Sequence, residues 1–170
     1  QMTGDGRGAY SQQIAKRIGA SAITSHLEKL GYGNADFSGD KGHNNALERA
    51  WIASSLEISP REQVRFLSNM LTYQLPVKPE AVELTKSIVE THNASDGWLV
   101  HGKTGMAYHR NADMSFDRTR GWAWFVGWAT KKERQVVFAR LIQLENGQPK
   151  KPAQFAMQSL LDELPKLIAD

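Results

Sequence analysis

The chain has 170 residues, 41% of them hydrophobic, a formal net charge of +3 and no cysteine. That length gives one domain or a large part of one, with the apolar content for a core and without the charge excess of a disordered chain. Disulfides, thiolate zinc sites and a cysteine nucleophile are excluded. The Lys and Arg residues are scattered and often sit beside acids, a solvated surface and not a nucleic-acid footprint, and no apolar run is long enough to cross a membrane.

Gly4-Asp5-Gly6-Arg7-Gly8 makes residues 1–8 a flexible or foreign N-terminal stretch, with no signal-peptide pattern. Helices are predicted over Ala9 to Ile18 and over Ser21 to Leu30, the second with Ile23, Leu27 and Leu30 on one face and Gly31 as its stop. From Tyr32 to Asn45 the chain is a polar, glycine-containing loop. Ser59-Pro60-Arg61-Glu62 has the form of a capping box with proline at the first helical position. The helix it opens carries Val64, Phe66, Leu67, Met70 and Leu71 and is expected to stop at Pro76. A further helix runs from Pro79 to Glu90. Asn93-Ala94-Ser95-Asp96 has turn composition.

Three aromatic or β-branched runs follow: Trp98 to Lys103, Gly121 to Ala129, and Gln135 to Ile142. Lys131-Lys132-Glu133 is a short hairpin connection between the last two. In succession they predict an antiparallel sheet. Phe155, Leu160, Leu161, Leu164 and Leu167 mark an amphipathic terminal helix from Pro152 to Ile168. The fold class is α/β, of the α+β type, with an antiparallel sheet flanked by helices.

The chemistry concentrates in Gly97-Trp98-Leu99-Val100-His101-Gly102-Lys103-Thr104-Gly105. As Gly-x-x-x-x-Gly-Lys-Thr it satisfies the phosphate-loop pattern, which needs a strand before it, a small-residue loop within it and a helix after it. Here the interior is bulky, a turn precedes it, and no helical period follows. A nucleotide phosphohydrolase is therefore the remote alternative. As an apolar strand ending in Lys-Thr-Gly, the same run looks like the active-site strand of penicillin-recognising serine enzymes.

Other pieces fall in a matching order. They are Tyr32-Gly33-Asn34, Trp51, Ser54-Ser55-Leu56-Glu57-Ile58-Ser59, Glu62-Gln63, Phe66-Leu67, Gly102-Lys103-Thr104-Gly105, and Gly121-Trp122 with Phe125-Val126-Gly127-Trp128. With these the chain resembles the C-terminal part of a class D, oxacillinase-type serine β-lactamase, from about Ile14 to Leu144. Asp36-Phe37-Ser38-Gly39-Asp40-Lys41 and Leu75-Pro76-Val77 add a likeness to the narrow-spectrum oxacillinases.

The resemblance implies the β-lactamase/transpeptidase-like fold over residues 9–170, and opening of a β-lactam by acyl transfer to a serine. By the same resemblance Lys103 supplies positive charge near the nucleophile and the substrate carboxylate. Thr104 hydrogen-bonds that carboxylate beside Gly105, and the Met106 backbone N–H serves as an oxyanion donor. Trp51 would hydrogen-bond the family's carboxylated lysine base, and Tyr32 and Asn34 would shape the adjoining loop. Lys151 or Lys150 stands where an arginine often binds the substrate carboxylate. Carbon dioxide, carried on that lysine, belongs to a residue outside this chain, so no cofactor is assigned to these residues. The family places such enzymes in the periplasm.

Departures stand against these matches: besides the arginine, the family's Ser-x-Val is expected just before the first helix, where this sequence has Gly4-Asp5-Gly6-Arg7-Gly8. The family's Ser-x-x-Lys opens a helix, whereas the only such run here, Ser38-Gly39-Asp40-Lys41, lies in a loop that does not hold the two side chains on adjacent helical faces. The expectation is a β-lactam-binding wall completed by a second chain carrying the Ser-x-x-Lys segment, or a homodimer. The alternative is a non-catalytic β-lactam sensor or an inert remnant. The tryptophans at 122, 124 and 128 are assigned to sheet packing, and His101, on the Lys103 face, to a half-buried structural role. His26, His43, His92 and His109 lack metal-ligand spacing, so no metal is assigned.

Overall fold

The computed structural model describes residues 6–113, 115–145 and 149–169. The chain divides into two compact units, Gln1–Ser59 and Pro60–Asp170.

In the first unit, helix α1 (Gly6–Ile18) packs on α2 (Ala20–Leu30) and on the short α3 (Ala46–Arg49). Helix α1 starts three residues before Ala9, inside the stretch 1–8, because glycine lowers helix propensity without forbidding the helix. Lys16 pairs with Glu48 at 2.9 Å, and Gln12 donates to the Glu48 carbonyl at 3.2 Å. Helix α2 ends as expected at Gly31, which takes left-handed φ 60° and ψ 40°. Gly31 N–H bonds to Glu28 O and Tyr32 N–H to Leu27 O, the paired 5→2 and 6→1 bonds of a Schellman motif.

In the second unit, α4 (Pro60–Leu71) and α5 (Pro79–Ile88) lead into a four-stranded antiparallel sheet. Its strands, in spatial order, are β1 (Thr91–Asn93), β2 (Leu99–Arg110), β3 (Phe116–Lys131) and β4 (Arg134–Leu144). Helix α6 (Pro152–Leu167) closes the chain. The sheet is the one the sequence predicts, with longer strands and one addition. β1, of which the sequence reading covers only Asn93, as the first residue of a turn, is recruited by the hydrogen-bonding edge of β2, with Thr91, His92 and Asn93 opposite His101, Val100 and Leu99.

Helix α4 stops at Leu71, well short of Pro76. Tyr73, at φ 55°, donates to Met70 O, and Gln74 donates to Asn69 O, so a second Schellman turn ends the helix before the proline can.

The core lies between the sheet and α6. Val100, Ala123, Phe125, Ala129, Phe138 and Leu144 meet Ala156, Leu160, Leu161 and Leu164. The α6 stripe is the 156, 160, 164 row plus Leu161; Phe155 and Leu167, expected in it, are 47% and 63% exposed. Phe125 is fully buried, its ring 5.1 Å from that of Phe138. Burial of each such side chain stabilises the unit by roughly 1.5–3 kcal/mol. Arg140 ties β4 to α6, bonding Ser159 Oγ at 3.2 Å and pairing with Glu163 at 2.5 Å. Helix α4 packs on β3 and β4. Its buried Leu67 and Met70 share nothing with the α6 cluster, which puts α4 on the opposite face.

Candidate active site

Pairing between β1 and β2 ends where Gly102 N–H donates to Glu90 O at 3.0 Å. Past that bond, among the described residues, β2 is paired only with β3. Backbone groups of successive strand residues alternate in direction. Gly102 points toward β1, so the N–H and C=O of Thr104, Met106 and Tyr108 point to the open edge. Lys103, exposed, has its Nζ 3.1 Å from Thr104 O. An ammonium, an outward-facing carbonyl and an outward-facing Met106 N–H thus line one edge of one strand. An extended acyl compound bearing a carboxylate fits such an edge by pairing with the free backbone and the charge.

The two glycines of the Gly-x-x-x-x-Gly-Lys-Thr run have structural causes. Gly97 sits at φ 75° in the turn Ser95–Gly97, next to Asp96 at φ 57°. Gly102 lies under Phe125, where a Cβ would stand 2.6 Å from the ring. The run continues as strand to Arg110. No helix opens at Lys103-Thr104, so the phosphate-loop geometry is not formed.

His101 shares the Lys103 face of β2 by strand alternation. Its ring stacks on Trp128 at 5.1 Å, and its Nδ1 lies 3.2 Å from Thr91 Oγ1. Burial, with a smaller effect of the Lys86 charge, holds its pKa below the ordinary value. Thr104, half-buried, faces the α6 side and pairs across to Phe125. Lys151 stands, exposed, at the start of α6.

The first unit carries the remaining sequence-identified residues. Asn34 fastens its own loop. Its Nδ2 donates to Ser55 O at 2.8 Å, and its Oδ1 accepts from Glu57 N and Asp36 N, each at 3.1 Å. Asn34 N–H adds a bond to Glu57 O at 3.0 Å. Gly33 is there of necessity, since a Cβ would sit 2.0 Å from Glu57 O. The Asn34 amide is thus committed to the loop in this structure. Burial pushes the Tyr32 phenol up. Trp51 stacks on Phe37 at 5.6 Å, and both line an open groove of 330 Å³ with Ile14, Ala15, Ile18 and Ile23. Ser38 and Lys41 lie in loop and turn, not on a helix. Ser38 N–H and side chain bond the Asp36 carboxylate and hold its pKa down.

Over residues 7–161 the sequence matches the penicillin binding protein transpeptidase domain. The chain belongs to the transpeptidase-domain family of penicillin-binding proteins. Within it, the likeness runs to class D β-lactamases. The β-lactamase OXA-9 of Klebsiella pneumoniae is 40% identical over 164 residues, which are 95% of this chain and 59% of that protein. The solved OXA-427 class D β-lactamase superposes with a TM-score of 0.82 at 35% identity, covering 95% of this chain and 66% of that one. The C-terminal domain of the Bacillus licheniformis BlaR penicillin-receptor gives 0.71 at 27% identity, over 90% of this chain and 56% of that one. The chain therefore spans about three-fifths of the OXA-9 sequence it matches.

In this transpeptidase-family chain, two features of the Lys103 surroundings escape sequence reasoning. One is β1, whose short pairing decides where the β2 edge opens. The other is an irregularity at the far end of β2. Tyr108 pairs with Gly121 and His109 with Asp117, so Arg118-Thr119-Arg120 have no partners on β2. Gly121 is the signal that could have shown it: a Cβ there would lie 2.3 Å from Ala107 O, and such a glycine inside an aromatic strand marks a bulge.

Proposed function

We propose that the chain forms the Lys-Thr-Gly wall of a class D serine β-lactamase, which hydrolyses penicillin- or oxacillin-type β-lactams through an acyl-enzyme. The observation that carries this is the open β2 edge, with the Lys103 ammonium and the outward Met106 N–H on one strand of a class D-like fold. Lys103 attracts the substrate carboxylate with help from Thr104. Met106 N–H donates to the carbonyl oxygen as negative charge grows on it in the transition state. The absence of a side chain at Gly105 keeps the strand open between them. By the family resemblance, Tyr32 and Asn34 shape their own loop and Trp51 supports the lysine base.

The nucleophilic serine and its lysine base come from a Ser-x-x-Lys segment on a second polypeptide or another stretch of polypeptide. Ser38 and Lys41, in a loop, do not fill that role. The compartment is the periplasm, and the biological role is resistance to β-lactam antibiotics.

The likeness to the BlaR penicillin-receptor domain favours one second reading, a β-lactam-binding sensor that is acylated or occupied without turnover. Denaturing intact-mass spectrometry of the purified protein, before and after penicillin in bicarbonate, separates the two. A penicillin adduct on a co-purifying chain, formed and then lost with time, supports the hydrolase. A persistent adduct, or saturable non-covalent binding abolished by Lys103→Ala, supports the sensor. No adduct, together with resonances around Lys103 that penicillin leaves unmoved, overturns both.

A further inference from the structure

We infer that Asp40 is the positioning residue for Trp51, holding the indole where, on the reading proposed above, it supports the lysine base.

Asp40 lies three residues after Phe37, and Arg49 two residues before Trp51. The two rings stack, with centroids 5.6 Å apart and planes inclined by 21°. One carboxylate ties the loop that carries Phe37 to the turn that carries Trp51. Asp40 Oδ2 lies 3.5 Å from Arg49 Nε, and the two side chains are only 11% and 19% exposed. The same oxygen accepts from Asn45 Nδ2 at 2.9 Å, and Asn45 Oδ1 in turn accepts from Asp40 N–H at 2.9 Å. On its other side Arg49 donates through Nη2 to Ile52 O at 3.2 Å, while Ile52 N–H returns a bond to Arg49 O at 2.7 Å. The Trp51 turn is thereby closed on the guanidinium, and the guanidinium on Asp40.

Two details show this clasp overriding local preferences. Asn45 is the N-cap of α3, where an asparagine side chain ordinarily accepts from the first helical amides. Here it caps none of them and is given to Asp40 instead. Gly39, at φ 85°, brings the loop so close to α3 that a Cβ would stand 2.5 Å from Asn45 Oδ1 and 2.8 Å from Ala46 N. Removing one member of a largely buried charge pair leaves the other charge uncompensated. Loss of the Asp40 carboxylate therefore acts on Arg49, and through it on the Trp51 turn. The Lys16–Glu48 pair on the same short helix lacks that leverage, since its side chains are 55% and 51% exposed and exposed pairs contribute little.

The test compares Asp40→Ala, Asp40→Asn, Arg49→Met and Glu48→Gln with the unmodified chain. The readouts are the Trp51 indole N–H by NMR, which senses the ring current of Phe37, amide exchange at positions 40 and 52, and the lifetime of the penicillin adduct on the co-purifying chain. Asp40→Ala should move the Trp51 signal and speed exchange at those two amides about ten- to a hundredfold, the range spanned by one hydrogen bond to a charged group. Arg49→Met should move the signal as well, and it decides the matter should Asp40→Ala fail to fold. Asp40→Asn keeps an acceptor for Asn45 Nδ2 and should restore most of the signal, whereas Glu48→Gln should leave it unmoved. Loss of the adduct should slow roughly ten- to a hundredfold in Asp40→Ala, as for a misplaced catalytic group. A Trp51 signal unmoved in both Asp40→Ala and Arg49→Met, or moved as far by Glu48→Gln, overturns the positioning role. An unchanged adduct lifetime beside a displaced Trp51 overturns the link to the base. Absence of any adduct overturns the hydrolase reading instead, and the Trp51 signals still decide whether Asp40 holds the indole.

Discussion

His101 lies nearly flat on Trp128, its direct partner across β2 and β3, with the rings inclined by only 14°. The contact fixes β2 two residues before Lys103. Burial depresses the His101 pKa, so between its lowered folded value and the unfolded value of about 6.5 the unfolded chain binds more protons. His101 therefore adds stability that is fully present above that unfolded value and is lost as pH falls through the folded one. Urea melts between pH 7.5 and 5 should show this loss. His101→Phe, which keeps a ring on Trp128 without a titrating nitrogen, should flatten that part of the profile. A His101 ring titrating at or above 6.5 by NMR would contradict the burial it is assigned.

The pairing of Gly102 with Gly127 is as exacting as any contact in the sheet. A Cβ on Gly127 would stand 1.9 Å from His101 O and 2.7 Å from Gly102 Cα, both backbone atoms without room to yield. Gly127→Ala should cost about 3 kcal/mol by forcing β2 and β3 apart. Gly105→Ala in the same hairpin, with 3.8 Å to its nearest atom, should leave stability unchanged within about 0.5 kcal/mol. Chemical denaturation of the two variants checks the contrast, and equal losses would show that strand spacing is not what Gly127 protects.

Asn34 offers a local prediction. Its Oδ1 takes the amide protons of both Asp36 and Glu57, so Asn34→Ala strips two donors of their acceptor at once. The loop should loosen by about 1–2 kcal/mol, with faster hydrogen exchange at those two amides. The sheet amides of the second unit should keep their rates. Unchanged exchange at Glu57 would mean that the bond from Asn34 N–H to Glu57 O is enough to hold the loop.

How legible these features are in sequence follows from how local their causes are. The strands around Val100, Phe125 and Val137 declare themselves through apolar and β-branched residues, and the α2 stop through Gly31. The Lys-Thr-Gly edge is legible as a motif because its residue types are unusual together. β1 is not, since His92 and Asn93 become strand only when β2 offers them partners. The end of α4 misleads in the same way: Tyr73 takes a left-handed conformation that its residue type disfavours, where Pro76 gives the more obvious stop. The bulge at Arg118–Arg120 depends on a register between two strands, and no single-strand pattern contains it.

That bulge yields a pH prediction through Asp117. Its carboxylate accepts from Thr119 Oγ1 and Arg120 Nε as well as from Thr119 N–H, and these bonds, with the nearby Arg120 charge, lower its pKa to about 2. A carboxyl depressed from an unfolded value near 3.9 stabilises the fold above that value. The contribution disappears as pH falls from about 4 toward 2, where the ring contact between His109 and Trp122 should loosen with the bulge. Asp117→Asn keeps one acceptor oxygen but loses the charge. It should therefore weaken the bulge at neutral pH and remove its acid transition. NMR titration of the Thr119 amide reads both effects, and a midpoint near 4 in the unmodified chain would show that the Arg120 and Thr119 bonds do not hold the carboxylate in solution.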